Sequence, residues 1–483
     1  MQCHKFVLEN FTIMTKYLFI FAFLSAATVN AQESWDLQKC VDYALENNLD
    51  VRQAEYSVQN ASTDVMQSKY QFLPSVNASG YYGYNFGQAI DPFTNQFAQN
   101  TVATGNFNLS ANMVLFGGLQ NLNRLTQSQY SEQSSEYAYK NVQYLTSLAV
   151  TTSFLQILFN EETLEVATQQ LETTSKQIER TKKLVDAGSA PQGALYDIEA
   201  QYAREELAQV NADNQVVLSY LSLKQLLRLP GNYDMEIVIP QELDSASLAL
   251  PTSLGMVIQT AYDTYPSIKS NEYALLSAEQ QVKISNSTMI PRLSISGSLG
   301  TGYSGNSREV TSTTITGTSP IGFVESSLEP VVTPSYTQEF RTKGFSDQVT
   351  DNFNQSLGLS LSIPIFNKMS NRANVNKAKV NYSIQETALE KEKQKVRQDI
   401  EKAYADALAA YKSFKSTEKG LTSLNEAFNY AQKRFDVGMI NAVDYNVAKT
   451  NLFRAESDLV KAKFDYIFRM KILDFYQGKS LVL

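Results

Sequence analysis

Four segments of the chain alternate between apolar residues and small or polar residues, a period of two that is typical of β-strands with two different faces. The pattern predicts strands over residues 74–87, 105–116, 291–303 and 353–366. In the last segment the apolar positions are Leu357, Leu359, Leu361, Ile363 and Ile365. Each segment is about 10–13 residues long, which is the length that a tilted strand needs to cross a bilayer.

Long stretches with few Gly or Pro residues lie between these strands and are rich in residues that favour helix. They predict helical segments over residues 34–72, 119–187, 192–229, 253–290, 368–437 and 440–477. The stretch 119–187 alone would form a helix about 100 Å long at 1.5 Å per residue. Such lengths favour coiled coils over a compact globule, so the predicted fold class is mainly α with a small β part.

The two halves of the chain are similar to one another in sequence. At an offset of 217, Ala44, Glu55, Pro74 and Gly80 align with Ala261, Glu272, Pro291 and Gly297. At an offset of 250, Phe116, Lys183, Gly188 and Arg204 align with Phe366, Lys433, Gly438 and Arg454. The shared order of helices and strands therefore indicates an internal duplication.

The duplication predicts a first repeat at 32–250, which ends in a linker at 230–250, and a second repeat at 251–483. The change of offset, 250 − 217 = 33, places 33 additional residues between the two strands of the second repeat, within 304–352. Because this tract is rich in Ser and Thr, it is expected to form a long, polar and mobile loop.

The N-terminus has the pattern of a targeting segment. Lys16 precedes an apolar run, and small residues follow at 29–31, which predicts a signal peptide over residues 1–31. Translation would start at Met1 or Met14. An N-terminal membrane anchor is the alternative, although the apolar run is short for a span. No other apolar run is expected to form a membrane helix.

Removal of this segment changes the inventory of reactive side chains. His4, the only His, is lost, and Cys40 is the one Cys that remains. His-containing triads, the common zinc sites and an intramolecular disulfide are then excluded, so no catalytic residue, cofactor or metal ligand is predicted. The mature charge, 39 basic minus 48 acidic residues or −9, argues against a nucleic-acid partner.

Four alternating strands make an open sheet with an apolar face and two unpaired edges, which lipid does not tolerate. A β-barrel needs about eight strands or more, so closure requires several chains. Aromatic residues at both strand ends match the girdles of outer-membrane barrels: Tyr81, Tyr82, Tyr84 and Tyr303 at one end, Phe116 and Phe366 at the other. A soluble β-sandwich is the alternative, but the helices leave no obvious second sheet.

The order of these elements and four sequence stretches resemble the TolC family of outer-membrane efflux ducts. The stretches are YQFLPSVNASGYYGY and VLFGGLQNLNR in the first half, and SIPIFNKMSNRANVNKAK and KRFDVGMINAVDYNVAKTNL in the second. The resemblance implies a homotrimer in which three sets of four strands close one 12-stranded transmembrane barrel in the outer membrane. A long α-helical barrel would extend into the periplasm, where a periplasmic adaptor (membrane fusion protein) and an inner-membrane transporter would be the partners.

The same resemblance points to the turns between the long helices as the working end. The turns that would contact the adaptor are Val437-Gly438-Met439 and Ala187-Gly188-Ser189. Asp444 matches the first of two gate carboxylates of the family, whereas Val447 replaces the second and Ile440 replaces a gating Arg. Three copies of Asp444 would form a ring of carboxylates at the periplasmic gate, with Asp197 as the other candidate. The alternative is that Asp444 only starts its helix, where a carboxylate suits the dipole.

The predicted function is a passive channel that exports small molecules or proteins, with energy supplied by the inner-membrane partner. An exported structural or adhesive coiled-coil protein is the first alternative, but it leaves the strands unexplained. An exported hydrolase is the second, but no G-x-S-x-G elbow is present. The pairs Glu161-Glu162 and Glu205-Glu206 are expected on solvated helix faces, and Cys40 on the apolar side of the first helix.

Overall fold

The computed structural model of the chain describes residues 34–87, 89–90, 95, 97–98, 101–238 and 253–479. The predicted signal peptide at 1–31 and much of the predicted linker at 230–250 lie outside these ranges. The described residues divide into two units. A strand-bearing unit comprises Ala61–Glu132 and Ala274–Gln385, and a helical unit comprises the other described residues.

The secondary structure follows the order of the two predicted repeats. The first half contains β1 (Ser34–Trp35), α1 (Leu37–Asn47), α2 (Leu49–Tyr70), β2 (Ser75–Asn85), β3 (Ala89–Ile90), β4 (Phe97–Ala98), β5 (Val102–Phe116), α3 (Gln120–Asp186), α4 (Gln192–Leu226) and β6 (Glu236–Ile237). The second half contains α5 (Leu254–Thr264), α6 (Pro266–Ser287), β7 (Arg292–Ser304), β8 (Arg308–Phe323), β9 (Pro330–Thr342), α7 (Phe345–Asp351), β10 (Asn354–Ser362), α8 (Ser370–Asp436) and α9 (Ala442–Tyr476).

The lengths of corresponding helices are equal in the two halves. Helices α3 and α8 have 67 residues each, and α4 and α9 have 35 each. Their first residues differ by 370 − 120 = 250 and 442 − 192 = 250, and those of α1 and α5 differ by 254 − 37 = 217. Each half therefore contains one long antiparallel helix hairpin, α3–α4 or α8–α9.

Two predicted helical stretches are interrupted. The stretch 34–72 begins with strand β1 and breaks at Asn48, whose backbone is extended (ψ 133°). The Asn48 side chain accepts a hydrogen bond from the backbone N–H of Asp50 at 2.8 Å, so it caps the next helix. The stretch 253–290 breaks at Tyr265, because the following Pro266 disfavours a helical backbone at the residue before it.

The strand-bearing unit contains an antiparallel sheet with the order β10-β7-β5-β2. The strand register places side chains from both halves of the chain in common rows on each face of the sheet. One apolar row contains Met113, Ile295 and Leu359, and the neighbouring polar rows include Asn77, Ser110, Ser298 and Ser356. Among the described strands, β2 and β10 have no neighbour on their outer sides, so the sheet has two open edges.

The end of β10 differs from the prediction of a strand over 353–366. The strand ends at Ser362, because Pro364 has no N–H for a ladder hydrogen bond. Leu357, Leu359 and Leu361 lie on the apolar face of β10, whereas Ile363 and Ile365 follow the strand.

The tract within 304–352 is not the polar loop that its composition predicts. Strands β8 and β9 pair with one another from Arg308 opposite Thr342 to Phe323 opposite Pro330. Helix α7 follows and is fixed to the end of β7 by Gln348, which is 1 % exposed. The Gln348 side chain accepts from Ser304 N at 2.9 Å and donates to Ser304 O at 3.0 Å.

One apolar core of the helical unit is built by β1, α1, α3, α4, β6 and α9, and smaller buried clusters lie between α8 and α9. The larger core includes Trp35, Phe154, Leu223 and Ile467, and Cys40 is fully buried in it, as predicted from the first helix. Contrary to the sequence expectation, α3 contains one stretch that is apolar and long enough by composition to cross a membrane. The buried apolar residues of α3 lie in this core, and 33 % of the apolar stretch is buried in the single chain.

Candidate functional site

Both turns between the long helices have the same backbone geometry. In the first, Ser189 N donates to Leu184 O at 2.8 Å and Gly188 N donates to Val185 O at 2.9 Å. In the second, the corresponding bonds are from Met439 N to Arg434 O at 2.7 Å and from Gly438 N to Phe435 O at 3.0 Å. These pairs of bonds form Schellman motifs, which require a left-handed residue after the helix. Gly188 and Gly438 supply it, with φ values of +68° and +77°.

The residues predicted to contact an adaptor lie on these turns and are accessible in the single chain. Val437 is 68 % exposed and Met439 is 72 % exposed, although large apolar side chains are usually buried. Ala187 and Ser189 are exposed at the equivalent positions of the first turn. The two turns therefore differ in chemistry, since one presents an apolar pair and the other a small polar surface.

The two carboxylates predicted for the gate occupy different positions in their hairpins. Asp444 lies in the first turn of α9, where its backbone N–H donates to the side chain of the N-cap residue Asn441 at 2.8 Å. Its carboxylate is exposed. Asp197 is also exposed, but the residue equivalent to it in the second repeat is Val447, since 447 − 250 = 197.

A cluster of charged and aromatic side chains joins α3 to the end of α8 beside the second turn. Arg180 donates to Asp436 at 2.6 Å, and its guanidinium lies 5.2 Å from the centre of the Phe435 ring. Phe435 stacks on Tyr445 of α9 with ring centres 4.7 Å apart. Burial, and then the Asp436 carboxylate, raise the pKa of Tyr445, so this phenol stays neutral.

A second polar cluster is buried among α3, α4 and α9. Glu205 is 5 % exposed, Lys449 is 4 % exposed and Thr174 is 2 % exposed. The Thr174 hydroxyl bonds to both the Glu205 carboxylate and the Lys449 ammonium group. Gln170 and Gln201 donate to Glu205 at 2.9 Å and 2.7 Å. The expectation of a solvated Glu205-Glu206 pair is therefore wrong for Glu205, while Glu206 is exposed.

The two charges of this cluster are bridged by the Thr174 hydroxyl. Burial lowers the pKa of the Lys449 ammonium group, and the neighbouring Glu205 carboxylate opposes that shift. A buried charge without a partner is costly, so the cluster ties α9 of the second half to both helices of the first hairpin.

The model of a protein family described as "Outer membrane efflux protein" matches residues 40–227 and 257–469. These two segments correspond to the two repeats and cover more than half of the chain. The chain belongs to the outer membrane efflux protein family. The fold of this family member is also that of TolC-like channels, as the solved structures below demonstrate.

Among relatives of this outer membrane efflux protein, the probable outer membrane lipoprotein SilC of Salmonella typhimurium is 21 % identical over 435 residues, or 88 % of this chain and 81 % of SilC. The cation efflux system protein CusC of Escherichia coli strain K12 is 23 % identical over 447 residues, with 88 % and 82 % covered. A crystal structure of CusC superposes with a TM-score of 0.73 and 17 % identity, and covers 92 % of each chain. The open-state MtrE channel of Neisseria gonorrhoeae superposes with a TM-score of 0.70 and 20 % identity, covering 92 % of this chain and 89 % of MtrE.

Sequence reasoning about this outer membrane efflux protein missed both clusters. Several of their members differ between the repeats, although Asp186 matches Asp436. Tyr430 stands at the position equivalent to Arg180, Glu199 at that of Lys449 and Ala455 at that of Glu205. Such differences between two otherwise equivalent hairpins are the signal that could have identified them. A residue whose charge differs between the repeats is a candidate for a contact that exists once per chain.

Proposed function

We propose that three copies of this chain form a passive duct that connects a periplasmic adaptor and an inner-membrane transporter to the outside of the cell. The observation that carries the proposal is the four-stranded sheet with one apolar face, one polar face and two open edges. In lipid, every backbone N–H and C=O needs a partner, so such a sheet must close with other copies. Three copies supply twelve strands, which lies within the size range of outer-membrane barrels.

The edges of the sheet support closure by strand pairing between copies. Strands β2 and β10 have 11 and 9 residues, and neither contains a Pro that would block a ladder. Long open edges without such protection are templates for another strand. Pairing β10 of one copy with β2 of the next continues the same antiparallel plan around a ring.

In such a ring, one face of the sheet would contact lipid and the other would contact water. Leu357, Leu359 and Leu361 are 80 %, 69 % and 62 % exposed in the single chain, which suits contact with lipid. Ile363 and Ile365, 57 % and 92 % exposed, would meet the membrane boundary just after the strand. The Ser and Asn rows of the other face would line a hydrated lumen.

The helix turns are the proposed docking surface for the adaptor. The apolar pair Val437 and Met439 on either side of Gly438 offers exposed surface for a partner, and Ala187-Gly188-Ser189 offers the matching turn of the other hairpin. The proposed periplasmic gate is a ring of Asp444 carboxylates, one from each copy, with Asp197 as the second candidate. Like charges in a ring favour cations and can hold a divalent ion.

Cargo in this proposal is a small molecule or a protein that the transporter selects, and the duct itself performs no catalytic step. Fractionation of the cell envelope tests the duct. The chain is expected in the outer membrane, as an oligomer that unboiled gel samples preserve and boiling dissociates. A soluble periplasmic monomer would overturn the proposal.

The gate has its own test, which is conductance in planar bilayers. Asp444→Ser is expected to weaken block by divalent cations, and Asp197→Ser tests the other candidate. Glu199→Gln removes an exposed carboxylate from α4 and serves as the control. If Asp444→Ser leaves both conductance and divalent block unchanged, Asp444 only starts its helix.

A further inference from the structure

The β8–β9 hairpin has two faces of opposite chemistry. On one face, here called the polar face, Glu309 pairs with Arg341 and Ser312 donates to Glu339. The hydroxyl groups of Ser319 and Ser335 also bond to one another on this face, at 2.6 Å. The polar face therefore makes its own cross-strand contacts.

The opposite face, here called the apolar face, carries four apolar pairs, with Thr313 opposite Gln338 and Thr318 opposite Pro334 between them. Val310 lies opposite Phe340, Ile315 opposite Tyr336, Pro320 opposite Val332 and Phe323 opposite Pro330. The side chains of Ile315, Tyr336 and Phe323 are 65 %, 57 % and 67 % exposed in the single chain. A two-stranded hairpin alone is marginal in water, so this face is expected to be covered in the working protein.

The edges of the hairpin are unsuited to pairing with another strand. The docking surface is therefore the apolar face. Pro320 and Pro334 lie within the two strands and cannot donate ladder bonds. The register shifts at Thr311, Thr316 and Ile321 are bulges, which disrupt an edge further. Strands β2 and β10 have neither feature within their bounds.

The root of the hairpin is fixed to the end of the main sheet. Lys343 N donates to Ser307 O at 2.9 Å, and Lys343 forms an ion pair with Asp351 of α7. Phe345 of α7 packs on Tyr303, with ring centres 5.5 Å apart. The hairpin therefore rises from the sheet end that carries the loops, at a position that every copy in a ring would share.

We propose that the apolar faces of neighbouring β8–β9 hairpins pack against one another and form a collar at the outer mouth of the duct. This inference rests on the proposed oligomer. Between Val310 and Phe323, and between Pro330 and Phe340, the apolar face has no charged residue, so two such faces meet without burying a charge. Residues 308–342 carry Arg308 and Arg341 against four glutamates, 2 − 4 = −2, which disfavours an anionic lipid surface.

The apolar face is too small to hold two copies together by itself, so the contact between hairpins depends on the oligomer that the main sheet forms. The hairpin has 13 register pairs, about 44 Å at 3.4 Å per residue, and two strands are about 10 Å wide. The face therefore covers roughly 440 Å², about half of what one partner buries in a stable standard interface. Copies already joined by the main sheet hold the hairpins at high effective concentration, where so small a contact suffices.

Cysteine cross-linking in intact cells tests the collar. Ile315→Cys places a thiol on the apolar face, and Thr314→Cys, the matched control, places one on the polar face of the same strand. Cys40 does not interfere, because it is fully buried and burial raises the pKa of its thiol to about 12. With a short bis-maleimide, Ile315→Cys is expected to give denaturation-resistant dimers, because each copy offers one accessible thiol, and Thr314→Cys at least tenfold less.

A second variant measures the consequence for transport. Because Ser307 and Lys343 are hydrogen-bonded, an Asn-Gly turn can replace residues 308–342 and close the root. The shortened protein is expected to remain an outer-membrane oligomer with a higher single-channel conductance than the full chain.

The outcomes separate the two proposals. If the oligomer forms but Ile315→Cys does not cross-link, or cross-links no better than Thr314→Cys, the collar is wrong and the duct stands. Unchanged conductance of the shortened oligomer also contradicts the collar. If no oligomer forms in the outer membrane, the proposed function fails and the collar fails with it.

Discussion

Arg180 of α3 and Asp436 of α8 are 256 positions apart in sequence, and Nη1 of Arg180 donates to Oδ1 of Asp436 at 2.6 Å. Asp436 is the last residue of α8, two positions before the Gly438 turn. The pair therefore holds the end of the second hairpin against the first hairpin. Both side chains are nearly half exposed, so an isolated pair of this kind contributes about 0.2–1 kcal/mol.

The first prediction concerns this pair. Arg180→Gln is expected to free the end of α8 and to increase the open probability of the reconstituted channel roughly 1.5- to 5-fold, as the energy of one such ion pair implies. Lys176→Gln is the control, because within the described part of the chain Lys176 pairs only with Glu172 on its own helix, at an exposed site. The double variant Arg180→Asp with Asp436→Arg exchanges the two charges. If it restores the wild-type open probability, the ion pair is the cause of the change. An unchanged open probability in Arg180→Gln would contradict this prediction.

The second prediction concerns the buried Glu205–Lys449 cluster. Glu205→Gln leaves the Lys449 ammonium group buried without its counter-charge, which is expected to cost about 3–5 kcal/mol of stability. Glu205→Met with Lys449→Met replaces both charges and is expected to recover most of that loss. Thermal unfolding of the purified oligomer measures both, with Glu206→Gln as the exposed control. Equal stability of Glu205→Gln and Glu206→Gln would mean that the buried pair contributes nothing.

The strands of the main sheet could be predicted from sequence because their period of two is uninterrupted. The odd positions from Leu357 to Leu361 alternate with Ser and Gly, and the register places them in apolar rows. The β8–β9 hairpin could not be found in this way, since bulges at Thr311, Thr316 and Ile321 shift the phase about every five residues. Its Ser and Thr content then dominates the pattern and suggests a loop.

The candidate site could be predicted from the sequence only in part, and the reason is different. The turns at Gly188 and Gly438 are local features, in which each Gly ends a helix by a motif of six residues. The contacts of Arg180 with Asp436 and of Lys449 with Thr174 join positions 256 and 275 residues apart. No local pattern encodes such a contact, and only the mismatch between the repeats indicates it.

The third prediction concerns the turn glycine Gly438. Gly438→Ala is expected to destabilise its turn by about 1–2 kcal/mol, because φ is +77° and an added Cβ is strained there without meeting any atom within 4 Å. Hydrogen exchange of the Met439 amide, which bonds to Arg434 O, should accelerate about 5- to 30-fold. Gly420→Ala in the interior of α8 is the control and is expected to raise stability by about 1 kcal/mol. Unaltered exchange at Met439 would show that the left-handed turn does not need glycine.

The fourth prediction concerns alkaline pH. Burial, and then Asp36, raise the pKa of the Cys40 thiol from 9.0 to about 12. Below pH 9 the thiol is neutral in both states and has no effect. Above pH 9 it ionises only in the unfolded chain, so stability is lost as pH rises from 9 towards 12. At pH 10 the loss is about 1 kcal/mol.

Cys40→Ala removes this contribution and leaves all other titrating groups in place. Between pH 8 and pH 10 its melting temperature is therefore expected to fall less than that of the wild type. Only the slopes are compared, because truncation of a buried side chain also lowers stability at every pH. Parallel slopes for the two proteins would mean that Cys40 is not buried in the assembled protein.

The last prediction decides which face of the sheet meets lipid. Leu359 and Ser360 are neighbours on β10 and point to opposite faces, the first to the apolar row of Ile295 and the second opposite Ser294. Leu359→Arg places a charge in lipid, which is expected to cost about 2–4 kcal/mol at the bilayer midplane, and three copies multiply the cost. The oligomer band in unboiled samples should therefore be lost. Ser360→Arg places the same charge in a hydrated lumen, so the oligomer is expected to persist and its conductance to shift towards anions. If Ser360→Arg is the variant that fails to assemble, the two faces are assigned the wrong way round.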